Sequence, residues 1–504
     1  MSALTAQDLI GVIGAGAMGS GIVQVALNAG HRVVLYDAAP AAVERGIASI
    51  DTAYRRLLEK GKIDAATHGD RMARLSAGAQ LADLAGARLV IEAIVENIDI
   101  KASVLAEVEA LLPADAIIAT NTSSLSVTAI AARLKRPAQV AGLHFFNPAP
   151  VLPLVEIISG KATAPAVADT LFATALAWKK VPVRCASTPG FIVNRVARPF
   201  YGEALRLLGD RAADVATLDA ILRDCGGFRM GAFELMDLIG HDVNYAVTKS
   251  VYDAMYQDPR YKPSLLQKEL VDAGWLGKKS GNGFYSYAPD AARPAPTLAQ
   301  PAPAPTGILV TGTLGVTAPL LTLAQEAGLA VRHDAAPGPA LWTVDGVTLA
   351  LTDGRPATQR GLDAVFDLAG DYAKAATIAI ALADQTPDGA LAAVAGFFQA
   401  LGKQVIVIDD VPGMVVMRTV AMLANEAADV VQQGIASARD CDLAMVNGVN
   451  YPRGPLAWAD AIGPAVVHTV LLNLAAGYGE DRYRSAPLLA RRALTGQPFH
   501  GAAA

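Results

Sequence analysis

The chain has 504 residues, 53% hydrophobic and only 18% charged, enough for three or four domains at roughly 150 residues each and too apolar for a disordered protein. Its formal charge is −5 with no long basic run, so nothing attracts a phosphate backbone and nucleic acid is not an expected partner. Three scattered cysteines, Cys185, Cys225 and Cys441, exclude a disulfide framework and a zinc site; they point to a reducing compartment and no metal.

Residues 8–13 form a short apolar run suited to a buried parallel strand. Gly14-Ala15-Gly16-Ala17-Met18-Gly19 follows, then a helical stretch from 17 to 29, a stop at Gly30, and a second apolar strand over 31–36 ending at Asp37. In such a βαβ unit the first glycine permits the tight turn, the second admits a pyrophosphate close to the backbone, and the third lets helix and strand touch. The helix N-terminus offers free N–H groups to the phosphates. Asp37, 18 residues after Gly19, is placed to bind a ribose diol and repels a 2′-phosphate, so NAD is expected rather than NADP. A phosphate-binding pattern that begins by Gly14 leaves no room for a cleavable leader, and the expected location is the cytoplasm.

Apolar runs at 89–94, 116–120, 140–144 and 154–158 continue an open α/β sheet. From Pro189 a helical spacing of apolar residues takes over as far as 288. Prolines at 289, 294, 296, 301, 303 and 305 then mark a semi-rigid linker. Beyond it, Ile308-Leu309-Val310 with Gly312 and Gly315 faintly echoes a strand and glycine loop, suggesting a decayed α/β copy. PGFIVNR at 189–195 faces PGMVVMR at 412–418, and the same offset of 223 pairs Glu203 with Glu426, Asp237 with Asp460 and Gly240 with Gly463: the helical domain is duplicated. The uncharged stretches 308–325 and 461–479 are broken by Pro319 and by Pro464, His468 and Asn473, unlike a membrane span. The expected domains are 1–187 (Rossmann-type, NAD-binding), 188–287 (helical), 288–307 (linker), 308–410 (degenerate α/β) and 411–504 (second helical copy).

Leu143-His144-Phe145-Phe146-Asn147-Pro148 carries a histidine able to exchange a proton near neutral pH, with Glu156 twelve residues on as a carboxylate that can orient it. Taken by itself, a histidine beside two phenylalanines is more often a satisfied core residue, and composition does not decide between the two readings. These segments, together with GAGAMGSGI, EAIVENIDIK at 92–101, NTSSL at 121–125, TPGFIVNR at 188–195 and LGKKSGNGFYSY at 276–287, resemble the 3-hydroxyacyl-CoA dehydrogenases over nearly all of the front 287 residues. The full arrangement, with GVNYPRGPLAWAD in the second copy, is similar to the phenylacetate-catabolic branch that acts on 3-hydroxyadipyl-CoA.

The resemblance implies NAD-dependent oxidation of an (S)-3-hydroxyacyl-CoA, possible substrates being the hydroxyadipyl and hydroxybutyryl thioesters. It implies His144 as base, Glu156 as its orienting carboxylate, and Ser123 and Asn194 positioning the 3-oxygen, the thioester and the histidine. Glu96 and Lys101 match residues near the nicotinamide ribose and carboxamide, Asn147 a cofactor and substrate contact, and Lys279 a second cofactor contact. Arg55, Arg56 and Lys60 are candidates for the CoA phosphates. Simpler readings stand beside these: Ser123 as a helix cap, Asn194 as a buried amide, Lys101 as a solvated helix charge, and Arg55, Arg56 and Lys60 as a solvated face. Met417 replaces Asn194 in the second copy and no HFFNP-like segment accompanies it, so that copy is expected to be non-catalytic. It is expected instead to pack on the first copy as an internal pseudo-dimer, further self-association remaining open. Arg229 stands where the family commonly has proline, a loop feature or a partner for a dicarboxylic acyl chain. The alternatives are a dehydrogenase of a free sugar or hydroxy acid, and a silent NAD-binding interaction module.

Overall fold

The computed structural model describes residues 2–501. Two compact units result, one of the chain up to Arg195 together with Gln433–Val449, the other of Val196–Gln432 together with the chain from Asn450 onwards.

The first unit is built on an eight-stranded sheet: β1 (Ile10–Ile13), β2 (Val33–Tyr36), β3 (Leu75–Gly78), β4 (Leu89–Glu92), β5 (Ile117–Thr120), β6 (Val140–Phe145), β7 (Leu154–Ser159) and β8 (Val181–Ala186), in the order β3-β2-β1-β4-β5-β6-β7-β8. All neighbours are parallel except β6 and β7. Alternate side chains serve opposite faces: Leu89 and Ile91 join one core with Ile22, Val43 and Leu171, while Val90 joins another with Leu105, Val108 and Ile130. The sequence reading anticipated six of these strands and missed the two edges, β3 and β8.

The second unit contains a seven-stranded sheet of β9 (Ile308–Thr313), β10 (Val331–Pro339), β11 (Leu341–Val344), β12 (Val347–Leu351), β13 (Ala364–Phe366), β14 (Thr377–Leu382) and β15 (Gln404–Ile408), ordered β10-β9-β11-β12-β13-β14-β15. Here β11 runs antiparallel to β9 and β12, and β13 antiparallel to β14. The proline-rich segment does not hang free: Leu298 bridges to Ile406, and Ala299 N–H donates to Val405 at 2.8 Å, extending the β15 edge.

Both helical copies, 196–287 and the chain after Met414, contribute to this unit, and the last helix of the first ends at Asp272. Residues 276–287 wrap around Asp237, whose carboxylate accepts the Phe284 and Tyr285 N–H groups at 2.9 Å each. A Cβ at Gly283 would fall 2.1 Å from that carboxylate. Asp460, the offset partner of Asp237, takes the Phe499 and His500 N–H groups in the same way, so the duplication reaches the described C-terminus.

The copies also exchange segments. In the first unit, Ala186 N–H donates to Ile435 O at 2.8 Å and helix Ala438–Val449 lies on β7 and β8. In the second unit, Asp409 N–H donates to Ala212 O at 3.0 Å and residues Ile221–Cys225 lie on β14. Under the offset of 223 these are the same hydrogen bond, so each helical copy lends a segment to the other copy's sheet.

Between the helical copies inside the second unit, Glu203 is fully buried and takes Arg418 Nε at 2.7 Å, Arg482 Nε at 2.9 Å and the Tyr483 hydroxyl at 2.9 Å. Its offset partner Glu426 takes the Tyr261 hydroxyl and, at 3.2 Å, Arg260. A Cβ on Gly202 would sit 2.5 Å from the Arg482 guanidinium, which would have to shift to admit it. Among the described residues no single helix is long and apolar enough to cross a membrane; Pro455–Ile462 and Pro464–Tyr478 meet at a bend of 100°.

Candidate functional site

The glycine turn after β1 has the conformations its spacing requires. Gly14 has φ +105°, and a Cβ there would fall 2.5 Å from Ala93 O; a Cβ on Gly19 would fall 1.7 Å from Gly14 O. A Cβ on Gly16 would meet nothing within 4 Å, so that face of the turn opens onto free space. Helix Ala17–Asn28 begins with no side-chain cap and no acidic residue in its first turn, so neither competes for an anion at its N-terminus. Asp37 accepts Ala15 N–H at 2.9 Å through one oxygen and Ala39 N–H at 3.0 Å through the other. A carboxylate has about four acceptor positions, so each oxygen keeps one for a ribose hydroxyl. The cradle fits a dinucleotide.

Beside it, at the ends of β4 and β5, lies a second group of polar residues. Glu96 accepts the Thr122 hydroxyl at 2.6 Å, the Ser124 hydroxyl at 2.9 Å, and the Ser123 and Ser124 N–H groups at 3.0 Å each. Its other oxygen is 3.2 Å from Lys101 Nζ. Burial alone would raise this carboxyl, but the Thr122 hydroxyl, the Lys101 charge and the serine donors outweigh it and hold it below the ordinary carboxylate value. Lys101 is not a solvated helix charge: its side chain is 1% exposed and ion-paired to Glu92 at 2.6 Å. Desolvation is offset because Glu92 is itself bonded by Thr120 at 2.7 Å and by Ile94 N–H at 2.7 Å. Nor is Ser123 a helix cap, since Ser126 caps helix Val127–Ala131.

At the third corner, antiparallel pairing of β6 and β7 sets His144 directly opposite Glu156. Opposed Cβ atoms lie about 5 Å apart, and His144 Nδ1 meets Glu156 Oε2 at 2.7 Å. The other oxygen of Glu156 accepts the N–H groups of Ile192 and Val193 at 3.1 and 2.9 Å. This fixes the carboxylate, and through it the imidazole, whose ring lies 4.5 Å from that of Phe146. The turn that presents those N–H groups runs through Gly190 and Phe191, both at positive φ. Asn194 follows, its amide donating to Ser123 O at 3.3 Å. A continuous set of hydrogen bonds therefore joins His144, Glu156, Val193 and its neighbour Asn194, Ser123, Glu96 and Lys101.

Sequence reasoning missed several members of this set. Thr122, Ser124, Thr120 and Glu92 are polar residues at strand ends whose importance appears only when the strands are adjacent. Asn121 accepts Phe145 N–H at 2.8 Å, tying β5 to β6. Lys180, nearly buried, donates to the carbonyls of Ala149 and Leu152 behind the Asn147-Pro148 loop, and burial pulls its pKa down to about 8. Other expected residues have no hydrogen bond to this set among the described residues. Asn147 is exposed after β6; Arg55, Arg56 and Lys60 are exposed along and just after helix Pro40–Glu59, Arg55 paired with Asp51 at 2.8 Å. In the second unit, Arg229 is exposed and Lys279 is ion-paired with Asp242 at 2.5 Å.

The second sheet repeats the frame without its chemistry. Phe366 pairs with Ile380 across β13 and β14, and the next residue, Asp367, donates its N–H to Ala379 O at 2.9 Å. Offset 223 maps Glu156 to position 379, so Asp367 occupies the register of His144 and Ala379 that of Glu156. The Asp367 carboxylate accepts the Val415, Val416 and Met417 N–H groups at 2.9, 2.7 and 2.9 Å, the first two being the offset partners of the donors to Glu156. Complete burial pushes Asp367 up to about 6 against these donors. No imidazole stands there.

Comparison with known proteins agrees with this layout. Residues 9–188 match the family of the 3-hydroxyacyl-CoA dehydrogenase NAD binding domain, and residues 190–287 and 413–499 both match its C-terminal domain. Residues 349–412 match a 3-hydroxybutyryl-CoA dehydrogenase reduced Rossmann-fold domain. A 3-hydroxyadipyl-CoA dehydrogenase of Escherichia coli (strain K12) is 44% identical over 96% of this chain and 97% of its own length. A 3-hydroxybutyryl-CoA dehydrogenase of Clostridioides difficile is 40% identical over 55% of this chain and 99% of its own. A crystal structure of 3-hydroxybutyryl-CoA dehydrogenase from Escherichia coli K12 superposes with a TM-score of 0.89 at 42% identity, covering 98% of this chain and 99% of that one. With the glycine turn, the opposed His144 and Glu156, and the repeated helical domain in place, the chain belongs to the 3-hydroxyacyl-CoA dehydrogenase family, whose cofactor is NAD.

Proposed function

We propose that the protein oxidises an (S)-3-hydroxyacyl-CoA to the 3-oxoacyl-CoA, its substrate being 3-hydroxyadipyl-CoA or 3-hydroxybutyryl-CoA, in the cytoplasm. The observation that carries this reading is the 2.7 Å contact of His144 Nδ1 with a Glu156 carboxylate whose other oxygen is held by two backbone N–H groups. Glu156 accepts the Nδ1 proton and leaves the Nε2 lone pair as the base. His144 takes the hydroxyl proton, and the electron pair of that O–H bond becomes the second bond of the C3 carbonyl as the C3–H bond breaks. NAD supplies the acceptor for the departing hydride. Glu156 stabilises the imidazolium that forms, Asn194 and Ser123 hold the 3-oxygen and thioester, and Glu96, kept ionised, orients Ser123 through its N–H group. Asp37 and the Gly14–Gly19 turn bind the adenosine ribose and pyrophosphate.

Both substrates are supported by similarity along almost the whole chain, to a curated relative named for the hydroxyadipyl thioester and to a solved structure named for the hydroxybutyryl thioester. The second copy, with Asp367, Ala379 and Met417 in place of His144, Glu156 and Asn194, has no base and is structural. Its reciprocal contacts through Glu203 and Glu426 make the two helical copies an internal pseudo-dimer. The test is NADH formation from hydroxyadipyl-, hydroxyhexanoyl- and hydroxybutyryl-CoA and from free 3-hydroxy acids, by wild type and His144→Gln. Turnover of thioesters alone, lost at least about 10³-fold in the variant with unchanged melting, is the expected result. Full activity of His144→Gln refutes the assignment.

A further inference from the structure

The second unit holds a cavity of about 560 Å³ whose lining includes Arg198, Arg206, Arg260, Lys262 and Arg482 against only two carboxylates, Glu480 and Asp481. Most of these cations are already paired. Arg206 grips Glu480 with both terminal nitrogens at 2.7 and 2.8 Å, Arg482 holds Glu203, and Arg260 holds Glu426 and Asp429. Asp481 is taken by Arg484 at 3.1 Å.

Lys262 is exposed, and Arg198 is the buried exception. It is 7% exposed, yet among the described residues its only hydrogen bond is from Nη1 to the Thr248 hydroxyl at 3.0 Å, and the guanidinium otherwise lies over the Tyr201 ring at 4.9 Å. No carboxylate pairs with it among the described residues, and burial pulls its pKa below the ordinary arginine value. Its Nε is buried without a partner, as are those of Arg206 and Arg260 in the same cavity. A buried, uncompensated guanidinium is unfavourable by several kcal/mol in general, and an entering anion removes that penalty. The planar fork matches the two oxygens of a carboxylate or phosphate.

We propose that this cavity binds an oxyanion, a carboxylate or a phosphate, through Arg198.

The experiment uses the full-length protein. Adipate and inorganic phosphate are titrated calorimetrically into wild type, Arg198→Met and Arg198→Lys. Wild type is expected to bind at least one of them, Arg198→Met at least about tenfold more weakly, and Arg198→Lys in between. Tighter binding of adipate assigns the site to a carboxylate, and tighter binding of phosphate to a phosphate group. Failure of wild type to bind either anion, or binding by a folded Arg198→Met as tight as that of wild type, overturns the proposal. Should Arg198→Met fail to fold, equal anion binding by Arg198→Lys and wild type overturns it as well.

Discussion

Replacing Glu156 by glutamine separates orientation of the base from support of the fold. Two backbone N–H groups, of Ile192 and Val193, point at one oxygen of Glu156, and His144 Nδ1 faces the other. The amide oxygen of glutamine must stay with the two N–H donors, since an NH₂ group there would oppose them. The NH₂ then faces Nδ1, which has to accept, and the ring proton moves to Nε2, where the proposed base needs its lone pair. Losing a hydrogen bond between a carboxylate and the forming imidazolium costs about 1.5–3 kcal/mol, and forcing the working tautomer against a facing donor adds about 1–3 kcal/mol. At about 1.4 kcal/mol per tenfold, the sum corresponds to a fall of roughly 10²–10⁴ in kcat. KM and thermal melting should move little, because the backbone contacts survive. Glu156→Ala, in contrast, strands both N–H groups and should lower stability as well by about 2–4 kcal/mol. Steady-state NADH formation with denaturant melts of both variants makes the comparison. A fall in kcat of less than about fivefold for a normally folded Glu156→Gln would refute the argument that Glu156 selects the tautomer.

In the glycine turn, Gly19→Ala places a Cβ 1.7 Å from Gly14 O, whereas a Cβ at Gly16 meets nothing within 4 Å. The first variant should melt at lower temperature, the second should melt normally and fail in cofactor binding once a larger side chain, as in Gly16→Val, fills the open face; NAD titration with melting curves checks both, and unimpaired NAD binding by Gly16→Val would count against the cradle. For Glu203, burial alone would raise the pKa, but Arg482 and Arg418 bring it down to about 2 from an ordinary 4.5. The folded value lies below the unfolded one, so its contribution is complete above about pH 4.5 and is lost as pH falls towards 2, a loss of about 3 kcal/mol. Urea melts between pH 7 and pH 3 should show that slope in wild type and a shallower one in Glu203→Gln, which should also be about 3–5 kcal/mol less stable at pH 7. Identical stability of the two at pH 7 would show that the pair between the helical copies contributes nothing net.

The residues that announce themselves in the sequence act through short-range geometry. The Gly14–Gly19 spacing, the helix after it and Asp37 belong to one βαβ unit, whose conformation is dictated within about 30 residues. The duplication is likewise a property of the chain alone, visible in PGFIVNR and PGMVVMR. Edge strands were less legible: LSAG in β3 has two exposed residues, and VPVRCA in β8 carries a proline and an arginine, because a strand bonded on one side need not present a continuous apolar run. Local sequence therefore determined the cofactor turn, the helical repeat and the candidates His144 and Glu156. Tertiary structure alone decided that those two oppose each other at 2.7 Å, that Lys101 is a buried partner of Glu92, that Asp367 inherits the register of His144 without its chemistry, and that each helical copy lays a segment on the other's sheet. These depend on strand register and on pairings between residues as distant as Ala186 and Ile435, and no local pattern encodes which far-off backbone group will satisfy a buried donor.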